Sequence, residues 1–142
     1  MRFINRLAFG LLLSCCGATA LAANCPSPPD GLKPADGLCV QVFAHGVGAA
    51  RHLAISADGT VYVMSDGPAR SGAAPFPALQ GKGPIVALRD TDGDGRADSG
   101  FRFGKEGGTG LALAGTILFA GEDRQVRRYL LDPASGRPLG EP

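Results

Sequence analysis

After its first block, no stretch of this 142-residue chain approaches the roughly 18 consecutive apolar residues of a membrane-spanning helix, so the sequence predicts no transmembrane anchor. Nor is there a block of one charge. Fourteen Lys and Arg stand against thirteen Asp and Glu, which gives no basic surface to displace counterions from nucleic acid or to bind an anionic membrane. With two histidines and four cysteines, the chain forms no Ser/His/Asp grouping, no paired-cysteine metal spacing and no CxxCH haem signature. The glycines between residues 104 and 110 lack the spacing of a dinucleotide fingerprint or a phosphate-binding loop, and a tight turn between strands is expected there. Past the first block no helical apolar period survives ten residues without Gly or Pro, so helix content is expected to be low.

The first block itself has a purpose. Arg2 and Arg6 precede an apolar run from Leu7 to Leu13, and a small-residue stretch ends at Ala22: the three-part layout of a secretory signal peptide over residues 1–22. Leu12-Leu13-Ser14-Cys15 offers a second reading, a lipobox with Cys15 lipidated, although the Ala-rich stretch suits ordinary cleavage better. Ordinary cleavage leaves 120 residues of net charge −1, expected in the periplasm or outside the cell, with Cys25 and Cys39 as the remaining cysteines. Two cysteines in an oxidising compartment usually pair. The pair would clip a Pro/Gly-rich lead-in, residues 23–38, onto the first expected strand.

Residues 39–142 read as strands and turns. Residues 39–44 alternate as a half-buried strand, with Val40 and Val42 on one face and Phe43 on the other. Residues 51–56 put Leu53 and Ile55 on one face, Asp58-Gly59 supplies a two-residue hairpin turn, and residues 60–64 have the strongest β character in the chain. A long irregular segment, 65–83, precedes strands expected at 84–89 and 101–104. Residues 111–120 then repeat the hairpin theme, Leu111 and Leu113 standing for Leu53 and Ile55 at an offset of 58, and residues 118–120 standing for 61–63 at an offset of 57. A last strand is expected at 125–131. Repeated antiparallel units suit blades of a β-propeller, each burying its face on the next, and two blades do not close a ring. Their outer faces would favour self-association.

The strongest motif is the acidic loop at 90–98. Asp90, Asp92 and Asp94 occupy positions 1, 3 and 5 of a calcium loop, Gly95 the sharp turn, Arg96 a backbone-carbonyl position and Asp98 the ninth position. Phe101 stands where a calcium sensor has its bidentate Glu, and the flanks are strand-like, so a structural calcium site is expected rather than a sensor. His45 is expected at the surface. Arg124, Arg127 and Arg128 read as a solvated basic group.

The order of residues 42–44, the hairpin at 50–63, the run 86–98 through the acidic loop and Gly108-Thr109-Gly110-Leu111-Ala112 resembles the sorbosone dehydrogenase group of soluble quinoprotein sugar dehydrogenases. The resemblance spans about residues 38–131 and implies a six-bladed propeller that uses pyrroloquinoline quinone (PQQ) and calcium to oxidise sugars or polyols. It also implies that the catalytic base and quinone-holding arginines lie in blades beyond residue 142. No catalytic residue is therefore assigned here. Arg51 is the one candidate for quinone contact, and His52 beside it is expected on the opposite strand face. Two functions follow from the sequence: the N-terminal part of an exported PQQ-dependent dehydrogenase, inactive alone, or a small secreted calcium-stabilised β module without catalysis.

Overall fold

The computed structural model describes residues 25, 27–29, 31–66 and 79–141. The expected leader, its Cys15 alternative and most of the irregular 65–83 segment lie outside them. Among the described residues there is no helix, and hence none long and apolar enough to cross a membrane.

The described residues form eight strands in two sheets: β1 (Ala49–Ile55), β2 (Val61–Asp66), β3 (Gln80–Gly81), β4 (Ile85–Arg89), β5 (Ser99–Phe103), β6 (Gly108–Ala114), β7 (Ile117–Glu122) and β8 (Val126–Leu130). The first sheet has the order β1-β2-β4-β5-β3, antiparallel except for the parallel pair β3–β5; the second is the antiparallel β6-β7-β8. The chain is thus all-β, as its turn-punctuated apolar runs predict.

Two expectations need correction. Residues 39–44 form no strand. They run beside the acidic loop, where Phe43 O accepts a bond from Ala97 N at 2.8 Å, and pack Phe43 on the sheet face, so no ladder edge lies beside them. The β1–β2 hairpin has a three-residue loop, not two: Ser56 N bonds Thr60 O at 3.0 Å and Gly59 N bonds Ser56 O at 3.0 Å. A two-residue type I′ turn needs positive φ at Asp58 as well as at Gly59, and only Gly59, at 84°, has it. Asp58 instead accepts from the Thr60 backbone N and from the Ser56 and Thr60 hydroxyls. The β6–β7 hairpin keeps two loop residues, Gly115 at φ 59° and Thr116.

That one-residue difference explains the change of offset from 58 to 57 in the repeat, and the strand registers show how far the repeat extends. In the first unit, Ala50 faces Ser65 and His52 faces Met64, with a bulge between; in the second, Gly108 faces Glu122 and Gly110 faces Gly121, again with a bulge between. Every pairing inward of the bulge matches, including Leu53 with Val63 against Leu111 with Ala120. The third strands match too, at an offset of 41: Ala87 faces Tyr62 as Arg128 faces Phe119.

The units stack with their corresponding faces pointing the same way. Ala54, Tyr62, Met64, Ile85 and Phe103 of the first sheet pack on Leu111, Leu118, Ala120 and Tyr129 of the second, making the main core. Phe103 sits edge-on between Tyr62 and Tyr129, at 6.3 and 5.2 Å between ring centroids, separations at which perpendicular rings attract. The other face of the first sheet, with Val63, Val86 and Leu88, is covered by Phe43, Val47 and Leu79. Cys25 and Cys39, bonded to each other with Cα atoms 5.2 Å apart, tether the start of that covering segment.

Polar ties join the units at the hairpin end. The Tyr62 hydroxyl donates to Gly136 O at 2.9 Å, and Arg89 donates to Asp58 and to Ala134 O, at 3.2 Å each. Burial pushes the Tyr62 phenol up to about 12 and also raises that of Tyr129, the only other tyrosine.

Both phenols are held neutral by folding, so their contribution to stability is whole below the unfolded value near 10 and is lost as pH rises through the higher folded values. In a spectrophotometric titration of the native protein, phenolate absorbance should therefore stay flat through pH 10 and appear only with alkaline unfolding. A normal titration of either tyrosine would contradict the stacked core. Tyr62→Phe, which leaves Gly136 O without its donor, should lower stability by about 1–2 kcal/mol in denaturant melts. Cys39→Ser, which opens a loop with a sequence separation of 14, should lower it by about 3 kcal/mol.

Candidate metal centre

β4 delivers the chain into the acidic loop and β5 takes it away. Asp98 N bonds Arg89 O at 3.0 Å, closing residues 90–98 into a compact turn at the end of the β4–β5 ladder. Inside it the carboxylates fold back on the loop's own N–H groups. Asp90 accepts from Gly93 N at 2.7 Å and Gly95 N at 2.8 Å; Asp92 accepts from Asp94 N at 3.2 Å; Asp98 accepts from both the backbone N and the hydroxyl of Thr91 at 2.8 Å. These Asp-centred turns are what the short side chain makes readily, and they aim the acids at a common centre.

Three carboxylates converge: oxygens of Asp90, Asp92 and Asp98 all lie within 4.8 Å of one another. Asp94 is turned differently, accepting from Arg96 N at 2.7 Å, and stands outside the trio. Arg96 enters the loop through that same N–H. Phe101 is in the main core, which bars it from any ligand role.

Asp90 and Asp98 are held in their charged form. Asp90 lies below the ordinary carboxyl value of 3.8, chiefly through the Gly95 N–H and then that of Gly93; Asp98 lies below it through the Thr91 hydroxyl and N–H, with the Asp90 charge opposing. Protonation therefore gives the loop no relief from like-charge repulsion near neutral pH.

The second unit shows what the same turn needs without that charge. Leu139 N bonds Leu130 O at 2.9 Å, the counterpart of the Asp98–Arg89 closure at the offset of 41. Where the first unit has Asp90, Asp92, Asp94 and Asp98, the second has Leu131, Pro133, Ser135 and Leu139. A single acid, Asp132, braces this turn by accepting from Ala134 N at 2.9 Å and the Ser135 hydroxyl at 3.0 Å. The acidic trio thus exceeds what closing the turn requires.

Sequence reasoning missed two supports of the loop. Thr91 orients Asp98, and the intervening position of an Asp-Thr-Asp run is where a local hydroxyl partner could have been sought. Gln41 lies across the loop, donating to Asp94 O at 3.3 Å so closely over Gly95 that a Cβ there would collide with its Nε2. Nothing in the sequence links Gln41 to residues more than fifty positions away.

The bulge in β1 makes Arg51 the extra residue, and Arg51 and His52 both border one hollow of about 410 Å³ with Ala50, Leu53 and Val63. His52 and His45 are exposed. In the expected basic group, Arg127 is not on a solvated face: its Nε lies 2.6 Å from the buried Glu122 carboxylate, whose hydrogen bond and charge raise the guanidinium's affinity for its proton. Arg124 and Arg128 are exposed.

Comparison with family models, with curated proteins and with solved structures finds no match for this chain.

Proposed function

We propose that this chain is an exported, non-catalytic β module built from two propeller-type blades, in which the 90–98 loop binds calcium as a structural cation. The observation that carries the reading is the convergence of Asp90, Asp92 and Asp98, set against a counterpart turn that closes with one acid. The donor chemistry fits: calcium takes six to eight hard oxygen ligands in flexible geometry, and three carboxylates with the Arg96 carbonyl and solvent can supply them. Magnesium demands a tighter octahedron than this open loop offers. Bound calcium would neutralise the trio and fasten β4 to β5. The Cys25–Cys39 bond supports an oxidising compartment.

A second reading, part of a PQQ-dependent sugar dehydrogenase, rests on the sequence resemblance and is favoured by the hollow shared by Arg51 and His52. The residues present do not fit the quinone. A planar triacid needs several cationic or amide donors on more than one side, whereas the residues bordering this hollow, Ala50, Arg51, His52, Leu53 and Val63, offer one guanidinium and one imidazole. No reaction step is assigned to this chain.

Isothermal calorimetry on protein stripped with chelator should show one calcium per chain with a dissociation constant of about 10⁻⁴–10⁻³ M. Near 10 mM calcium, mass action then stabilises the fold by roughly 1.4–2.7 kcal/mol, a rise in Tm of roughly 5–10 °C. Asp90→Asn or Asp98→Asn should weaken binding about tenfold or more, and Asp94→Asn less, because its carboxylate lies outside the trio. Absence of binding heat, together with a Tm indifferent to calcium, would remove the proposal.

The pH dependence has a definite direction. With Asp90 and Asp98 depressed below 3.8, their contribution to stability and to calcium affinity is present above that value and is lost as pH falls through the lower folded values. Affinity should therefore be flat from pH 7 to about 5 and fall below about 4. A loss centred near pH 6 would point to a histidine ligand instead. Dye reduction with PQQ and sugars should be nil; measurable turnover by this chain would favour the second reading.

A further inference from the structure

We infer that the two outer faces of the stacked pair bind each other between copies of this chain, head to tail, so that a second copy continues the repeat. The strand registers support this without any contribution from calcium. The face of the second unit that packs on the first carries Leu111, which is 6% exposed, and Leu113, which is partly buried. Their counterparts in the first unit are Leu53 and Ile55, on the equivalent face, and these are 57% and 60% exposed.

On the opposite side the same holds. Ala54 and Tyr62 of the first unit receive the second unit's Leu111 and Leu113 face within the main core, and Tyr62 is 1% exposed. Their counterparts, Ala112 and Phe119, lie on the outer face of the second unit, where Ala112 is exposed and Phe119 half-buried. The open β1 residues are thus the repeat-equivalents of the β6 part of an interface that the chain already makes with itself, and Ala112 and Phe119 are the equivalents of the Ala54 and Tyr62 surface that receives it.

The cover provided by Phe43 and Val47 already fills the counterparts of Leu118, Ala120 and Tyr129, which are Val61, Val63 and Leu88, and so restricts the contact to β1. It lies on the β2–β4 part of the first sheet, over Val63, Val86 and Leu88, and leaves the β1 residues open. Arg128 takes the place of Ala87, which lies in the main core, so on β8 the next copy would meet a guanidinium, and the proposed contact is confined to β6 and β7, which Leu53 and Ile55 of the next copy would cover. An interface between two different faces propagates: it closes into a ring if the rotation per copy allows and otherwise grows.

Multi-angle light scattering coupled to size exclusion, at saturating calcium, tests the inference, with calorimetry on the same sample reporting separately on the calcium reading. The wild-type chain should exceed monomer mass, increasingly with concentration unless a ring closes. Leu53→Asp and Ala112→Asp should each be monomeric alone, and an equimolar mixture should form a 1:1 dimer, since it holds one intact copy of each face. Wild-type protein that is monomeric at its highest soluble concentration, a single variant that keeps the wild-type mass, or a mixture that stays monomeric would each overturn the proposal. Tyrosine titration confirms that each variant is folded; Ile55→Asp with Ala112→Lys is the replacement pair for any that is not.

Discussion

Each sheet of this protein has an apolar face that it cannot bury within itself, and the packing of one unit's back on the other's front is what makes either stable. A three-stranded sheet such as β6-β7-β8 needs something to cover it. The cover is the Tyr62, Met64, Ile85 and Phe103 surface of the first sheet, and the buried phenols result from it, as do the hydrogen bonds that Tyr62 and Arg89 send into the second unit's turn. The acidic loop depends on the same packing at one remove. It hangs between β4 and β5, whose Ile85, Ala87, Phe101 and Phe103 are fixed in the inter-sheet core, so the directions from which Asp90 and Asp98 leave the sheet are set there.

What was legible in the sequence is what local chemistry decides. Strands β2, β4 and β7 announce themselves by apolar residues between turn signals, and the Asp/Gly loop by carboxylates at alternate positions. The hairpin repeat could be read because its offsets are nearly constant. Its third strand could not, since more residues separate β2 from β4 than β7 from β8, and the offset drops to 41. Turn length at Asp58 was also hidden, because it depends on the φ of one residue. Residues 39–44 alternate as a strand would; alternation requires two different sides, not a neighbouring edge with which to pair. β3, two residues long, has no period to detect.

Within the candidate site, the acids were readable and their division was not. That Asp94 turns to the Arg96 N–H while Asp98 joins Asp90 and Asp92 follows from the backbone path of the loop and from Thr91 and Gln41, the latter reaching in from a distant part of the chain. Likewise, Leu53 and Ile55 were read as one face, but whether that face is covered depends on the direction in which units stack. The bulge at Arg51 is similarly invisible, although its recurrence beside Thr109 shows that it belongs to the unit's design rather than to either side chain.

The asymmetry between the two turns bears on why one unit would need a cation. Asp132 closes its turn with Pro133 limiting the backbone; the 90–98 loop instead has two glycines among four acids, a backbone with more freedom to lose on folding. Its carboxylates order that backbone by accepting N–H bonds, and for Asp90 and Asp98 those bonds lower the proton affinity and so maintain their charge and mutual repulsion. The ion pairs among the described residues join Arg89 to Asp58, Lys105 to Glu141 and Arg127 to Glu122, and none reaches the trio. Asp90 and Asp98 relieve their repulsion neither by protonation near neutral pH nor by one of these ion pairs, and the proposed calcium ion would supply the counter-charge where the carboxylates meet, a need that a turn with a single acid does not have.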